Sequence, residues 1–208
     1  CIIIHYMATN SVDLSIIIVS YNTKNTTLNC LNSIARSLEK TKIKYEIIVV
    51  DNASSDGSLE MLHRRHAEFV SASILNQIPK RVRDDVNNLI LIENNQNVGF
   101  AKANNQAIRM AQGTHILLLN SDTIVVTDAI IKMYNFFVQN KHIHFLGAKL
   151  FNIDMTTQAS SAPFYTLPVI FGALFLKGDY WGLTRSSPDK TTKTDWVSGA
   201  CVLTKKEY

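Results

Sequence analysis

A chain of 208 residues that carries neither G-x-G-x-x-G nor G-x-x-x-x-G-K-[ST] lacks both common glycine-rich loops that let a backbone approach phosphate. A dinucleotide Rossmann site and a P-loop are thereby excluded, and a nucleotide, if bound, must be held by other means. Cysteine is scarce. Cys1, Cys30 and Cys201 are odd in number and show no C-x-x-C spacing, so neither a disulfide framework nor a zinc site is indicated and a reducing compartment is favoured. Long apolar runs are missing as well: the longest late one, LPVIFGALFL over residues 167–176, falls short of the roughly 18 to 20 residues that span a bilayer. No transmembrane span is expected, and a shallow contact with a membrane face stays open. The opening CIIIHYM has neither the basic region nor the cleavage site of a signal peptide. It reads as sequence upstream of a natural start at Met7, within an extension over residues 1–12. Charge of one sign never forms a block: 21 basic and 17 acidic residues give a net charge of +4. That argues against a nucleic-acid surface and fits an ordinary solvated one, with a mild preference for phosphate-bearing ligands or an anionic membrane face. His5, His63, His66, His115, His142 and His144 show no metal-binding spacing.

What is present is enough to fold. With 46% hydrophobic residues, the length suits one domain with a substantial core. Short β-rich apolar runs alternate with segments of helical spacing. LSIIIVSYN (residues 14–22) is a buried strand, and Leu28, Leu31, Ile34, Ala35 and Leu38 behind it form one helix face that Asn25 or Thr26 is placed to cap. YEIIVVDNASSDGS (45–58) repeats the unit with a helix through Leu59, Met61 and Leu62. LILIENN (89–95) precedes a helix from about Phe100 to Gln112 that Gly113 terminates, and HILLLN (115–120) precedes one near 128–139. Residues 67–88 read as an insertion, a surface loop or short helix. Beyond 143 the pattern weakens: residues 143–151 and 195–204 each read as one strand, and the apolar run at 167–176 as core or as a face left bare, which would promote dimerisation.

Fourfold alternation specifies an α/β fold, a mostly parallel central sheet with helices on both faces. Ligands of such sheets bind beyond the carboxyl ends of the strands. Tyr21 and Asn22, Asp51 and Asn52, Asn94 and Asn95, and Asn120 to Asp122 therefore share one rim. A strand-terminal aspartate is as often a turn residue or cap as a ligand. Two on one rim, each among Asn and Ser, favour ligands. Asp51 suits the N–H of a nucleobase, and the all-oxygen set Asn120, Ser121 and Asp122 suits a hard divalent cation bridging phosphates. Gly99 permits a tight turn, and the helix beginning there aims free N–H groups at the rim, a favourable place for a diphosphate. Asn104 and Asn105 are poor helix formers, one expected to face solvent and the other the cleft.

SIIIVSYNT, EIIVVDNASSDGS, NVGFAKANNQAI, HILLLNSDT and DWVSGACVLTKKEY, in that order, resemble the family 2 glycosyltransferases of GT-A fold, in particular their rhamnosyltransferase-like inverting members. The resemblance runs from about Leu14 to Tyr208 and makes residues 13–208 a GT-A domain. It implies transfer of a hexose-type sugar from a UDP- or dTDP-sugar to a glycan or lipid-linked glycan, with inversion and with Mg²⁺ or Mn²⁺, in polysaccharide biosynthesis in the cytoplasm, at or near the inner membrane face. By that resemblance Ser20, Tyr21 and Asn22 line the nucleoside, Asp51 reads the pyrimidine, and Asn97, Gly99, Phe100, Ala101 and Asn104 lie along the donor. Asn120, Ser121 and Asp122 stand at the family's D-x-D, leaving Asp122 as the metal ligand. Trp196, Ser198 and Gly199 close the donor and acceptor pocket.

The family's general base, one of an acidic pair beyond its W-x-x-G-A stretch, is expected beyond Tyr208, so the domain reads as truncated at its C-terminus, with donor binding and little or no transfer. The alternative is a non-catalytic nucleotide-sugar binding module or structural remnant. A nucleotidyltransferase is disfavoured because SYNTKNTT follows the first strand where a glycine-rich basic loop is needed.

Overall fold

The computed structural model describes residues 12–39, 41–74, 89–176 and 184–208. The proposed extension with Cys1, His5 and Met7, and most of the expected insertion, lie outside them. The chain order is β1 (Leu14–Ser20), α1 (Lys24–Leu38), β2 (Tyr45–Asp51), α2 (Ser58–Ile74), β3 (Leu89–Glu93), α3 (Phe100–Met110), β4 (His115–Leu119) and α4 (Ala129–Gln139). Then follow β5 (Phe145–Gly147), β6 (Leu150–Phe151), β7 (Thr157–Gln158), β8 (Ser161–Ala162), α5 (Leu167–Phe175), β9 (Trp196–Val197) and β10 (Cys201–Lys205).

Six strands form one sheet in the order β3-β2-β1-β4-β10-β5, with β3, β2, β1 and β4 mutually parallel and β10 antiparallel to both neighbours. Strand alternation sorts side chains to two faces. Leu14, Ile16 and Ile18 join Leu31 and Ile34 of α1, Leu62 of α2 and Phe137 of α4 in the larger core, whereas Ile17, Ile48 and Val50 meet Ala103 and Ala107 of α3 in the smaller one. Alanine on α3 brings that helix close to the sheet, and Leu14, Ile16, Ile17 and Ile18 are completely buried. Such runs are what a central parallel strand covered on both faces demands.

Several local expectations are corrected. Helix α1 starts at Lys24, so Asn25 and Thr26 lie inside it; its N-cap is Thr23, which makes no side-chain capping bond. Helix α2 continues to Ile74, into the first part of the expected insertion. Helix α3 ends at Met110 with Ala111 as its C-cap, so Gly113 does not terminate it. Glycine is needed there for a different reason: a Cβ at Gly113 would lie 2.6 Å from the Ser15 backbone nitrogen and 2.6 Å from its Oγ. The single strands expected over 143–151 and 195–204 are each two short strands in different sheets, β5 and β6, β9 and β10. The run at 167–176 is helix α5, and it is the bare face: Leu167, Leu174 and Phe175 are exposed and only Gly172 is buried. Among the described residues no helix is long and apolar enough to cross a membrane.

Candidate active site

Parallel register decides which side chains can meet. Ser20 pairs with Asp51 and Asp51 with Glu93, while Ile17 pairs with Leu118. Continued upward, that last register sets Ser121 beside Ser20, and Thr23 Oγ1 lies 3.2 Å from Ser121 Oγ. The ends of β2 and β4 therefore flank the end of β1, placing Asp51 and Asp122 on one rim about two strand spacings apart, roughly 10 Å. Helices α1, α2 and α3 all begin at this rim and run away from it.

Asp51 is 1% exposed. Its Oδ2 accepts the Ser54 N–H at 3.0 Å, and its Oδ1, equally buried, has no hydrogen-bond partner. A buried carboxylate oxygen left unpaired is costly, and where one persists beside a ligand rim it is a vacant acceptor. Non-glycine residues with positive φ stand on either side of it, Asn22 at 53° and Ala53 at 67°. Conformations of this kind are held only where surrounding bonds over-determine them. Here Asn22 donates its N–H to Ser54 Oγ at 3.0 Å and accepts the Ser55 N–H on Oδ1 at 2.8 Å, and Lys24 N–H donates to Asp56 Oδ2 at 2.9 Å. The loops after β1 and β2 are thereby locked together, and Tyr21 is left exposed at their edge. The Ser58 hydroxyl, followed by the Lys24 N–H, holds the Asp56 carboxyl below its ordinary range.

Ser20 lies beneath the rim, fully buried, with its hydroxyl within 3.1 Å of Thr23 Oγ1 and of Thr27 Oγ1. Ser121 is also buried and continues this hydroxyl ladder. Asp122 is exposed. The Asn120 N–H donates to Ala200 O at 2.9 Å, and the Ser198 N–H to Ser160 O at 2.7 Å. Ala200, the residue that follows the Trp196–Gly199 stretch, is thus bonded to the Asn120–Asp122 turn, and Trp196 stands against Tyr165 at a ring separation of 6.1 Å. Beneath the turn, Cys30 Sγ lies 3.7 Å from Asn120 O, and burial, followed by the Asp122 charge, pushes its thiol up to about 12.

On the other flank Gly99, at φ 85°, opens α3. Its N–H donates to Asn97 Oδ1 at 2.9 Å, and no side-chain bond caps the helix, so the N–H groups of its first turn, at Phe100 and Ala101, are free of helical partners. Of the two helical asparagines, Asn105 is exposed and Asn104 is buried, with Nδ2 donating to Phe100 O at 2.9 Å. Three amides that the sequence places on or near the rim without a role, Asn52, Asn94 and Gln106, form a bonded chain behind this turn. Their only advance signal is the density of Asn and Gln in DNASS and NNQNVGFAKANNQ.

For a cation the donor set is sparse. Among the described residues no group of three or more His, Cys, Asp or Glu is assembled, and the turn itself contributes a single carboxylate, the exposed Asp122. A magnesium-like ion needs no more, since it binds through one or two carboxylates with substrate phosphates and water completing its shell. A concavity of about 370 Å³ between Ser161, Ser186, Lys193 and Asp195 lies beside β8 and includes none of these rim residues.

The family model for glycosyl transferase family 2 matches residues 15–192. The chain is 34% identical over 135 residues to a poly(ribitol-phosphate) beta-glucosyltransferase of Bacillus spizizenii, covering 64% of this chain and 18% of that one. It is 30% identical over 127 residues, 61% of this chain and 42% of the relative, to the Escherichia coli UDP-Glc:alpha-D-GlcNAc-diphosphoundecaprenol beta-1,3-glucosyltransferase WfaP. The chain thus spans well under half the length of these relatives. Among solved structures, the mannosyltransferase PcManGT of Pyrobaculum calidifontis, in complex with GDP-Man and Mn²⁺, superposes with a TM-score of 0.56 at 20% identity, over 93% of this chain and 44% of that one. TarS 1-349 of S. aureus superposes with a TM-score of 0.53 at 21% identity, over 76% and 44%. Both likenesses are of fold.

Proposed function

The chain belongs to glycosyl transferase family 2, and on that footing we propose that residues 13–208 form a GT-A domain whose rim binds a nucleotide-diphosphate sugar for transfer to a glycan or lipid-linked glycan. The observation that carries this reading is the unpaired, buried Oδ1 of Asp51 on the same rim as Asp122. An acceptor-only carboxylate selects a base that offers an N–H: uracil and thymine do so at N3, whereas cytosine presents a lone pair there. Tyr21 and Asn22 border the nucleoside. The diphosphate lies toward the free N–H groups at Phe100 and Ala101, where the helix dipole favours negative charge.

Asp122 is the residue to hold Mg²⁺ or Mn²⁺, with Asn120 at hand. A divalent ion held there would supply positive charge to offset that of the leaving nucleotide diphosphate. Trp196, Ser198 and Gly199 form the acceptor side, and the next residue, Ala200, accepts the Asn120 N–H. In an inverting transfer the acceptor hydroxyl oxygen bonds to the anomeric carbon as the bond to the diphosphate oxygen breaks, and the hydroxyl proton passes to a base. None of the rim residues is assigned as that base, so donor binding is the property that tests them. Two buried free thiols, Cys30 and Cys201, accord with a reducing, cytoplasmic setting.

The test is calorimetry with UDP, dTDP, GDP and CDP, each with and without Mn²⁺ or Mg²⁺. UDP or dTDP is expected to bind at least tenfold more tightly than CDP, and the cation to strengthen binding. Indifference to every nucleotide overturns the reading, and sugar transfer from the bound donor separates an enzyme from a binding module.

A further inference from the structure

We propose that Asn52 is a positioning residue, which fixes the turn at Gly99 and the start of α3 against the donor's diphosphate; this rests on the donor-site reading above. Asn52 is 2% exposed, and both polar atoms of its side chain have partners. Its Nδ2 donates to Asn97 Oδ1 at 2.7 Å, and its Oδ1 accepts the Val98 N–H at 3.0 Å and Asn94 Nδ2 at 3.1 Å. Its own N–H donates to Ser20 O at 2.8 Å. One side chain on the rigid end of β2 thus grips the following loop at Asn94, Asn97 and Val98.

The grip continues into the helix. Asn97 Oδ1 also takes the Gly99 N–H, at 2.9 Å, and Asn94 exchanges paired amide bonds of 3.0 and 2.9 Å with Gln106 of α3. The chain Gln106, Asn94, Asn52, Asn97, Gly99 closes around the turn that launches α3. Free N–H groups at a helix start serve an anion only when their position is fixed beforehand, and an amide network anchored on the buried Asn52 supplies that rigidity. Asn52 touches no vacant position itself, unlike Asp51, its neighbour in sequence, whose Oδ1 is free. The division of labour is therefore base reading by Asp51 and phosphate-side alignment by Asn52.

Uridine and UDP tell these roles apart, because uridine lacks the diphosphate. For Asn52→Ala, UDP affinity should fall by roughly tenfold to a hundredfold, in the range expected when a small misplacement spoils preorganised contacts, with uridine affinity unchanged within about twofold. Gln106→Leu provides the second variant. It sits nearly two turns down the helix from Gly99 with its side chain engaged by Asn94, and it should weaken UDP in the same direction by a smaller factor, again sparing uridine. Titration by NMR and calorimetry, with thermal unfolding as the folding check, reads both. Equal losses for uridine and UDP, or unchanged UDP affinity in either folded variant, would overturn the positioning role. Failure of the unaltered protein to bind either ligand would instead remove the donor-site reading, and this inference with it.

Discussion

Asp51 uses one carboxylate oxygen on the Ser54 N–H and holds the other, buried, with no partner. Asn at this position keeps an oxygen for Ser54 and turns an NH₂ toward the base, so acceptor becomes donor at the one place where the pyrimidines differ. For Asp51→Asn, UDP affinity should fall by about one to two orders of magnitude, the value of a hydrogen bond to a charged group, while CDP affinity rises or holds. Competition calorimetry with the two diphosphates checks the inversion, and thermal stability should not drop, because an unpaired buried charge is removed. A second residue-scale consequence concerns the thiols. Burial pushes Cys201, like Cys30, up to about 12 from the usual 9.0. The unfolded chain therefore releases these protons first as pH rises, so their contribution is complete below about pH 9 and is lost as pH climbs toward 12. Urea unfolding at pH 8 and pH 10 should show a decline in stability that becomes shallower in Cys201→Ala.

At the scale of elements, the far end of the sheet is held by a polar contact that no motif announces. Glu46, fully buried on β2, accepts the Ser15 hydroxyl at 2.5 Å and the Gln112 N–H at 2.6 Å, and Gly113 donates to Ser15 Oγ at 2.8 Å. This fastens the turn between α3 and β4 onto β1 and β2. Gly113→Ala would push a methyl group into Ser15 and should cost about 2 to 3 kcal/mol, a fall of roughly 4 to 12 °C for a chain of this size. UDP binding should be unaffected, since the rim lies at the other end of the strands; differential scanning fluorimetry with and without UDP checks both. The contrast between these ends explains what was legible in the sequence. Strands β1, β2 and β4 are buried on both faces and read as unbroken aliphatic runs, and their polar ends marked the rim. Helix boundaries were read less well. Capping residues and a glycine suggested termini at Asn25, Thr26 and Gly113, but Thr23 belongs to the Ser20–Ser121 hydroxyl ladder and Gly113 answers a close approach from β1. Both causes are tertiary and leave no local periodicity. The same holds for β5, β6, β9 and β10, where a run that alternates like one strand is divided between sheets by a turn. The amide chain through Asn52 was visible only as composition, because its members lie 42 to 46 residues apart across the loops they join.

For the molecule as a whole, the odd feature is helix α5, whose sequence LPVIFGALF carries no charge at all. A helix apolar on every side normally lies inside a core or a bilayer. Here Leu167 is 82%, Leu174 72% and Phe175 69% exposed, with Phe171 and Leu176 beside them. The helix is too short to cross a membrane, and an interfacial helix would present a polar face that this one lacks. Contiguous apolar surface of this kind drives association in water, at about 25 cal/mol per Å² covered. Sedimentation velocity should therefore show concentration-dependent association of the unaltered chain that Leu174→Lys combined with Phe175→Lys abolishes. Both side chains already face solvent, so the melting temperature and UDP affinity should stay within error. A monomer at every concentration, or association that survives both lysines, would mean that the contact lies on another face. A fall in melting temperature would instead mean that α5 packs against its own chain more closely than its exposure indicates.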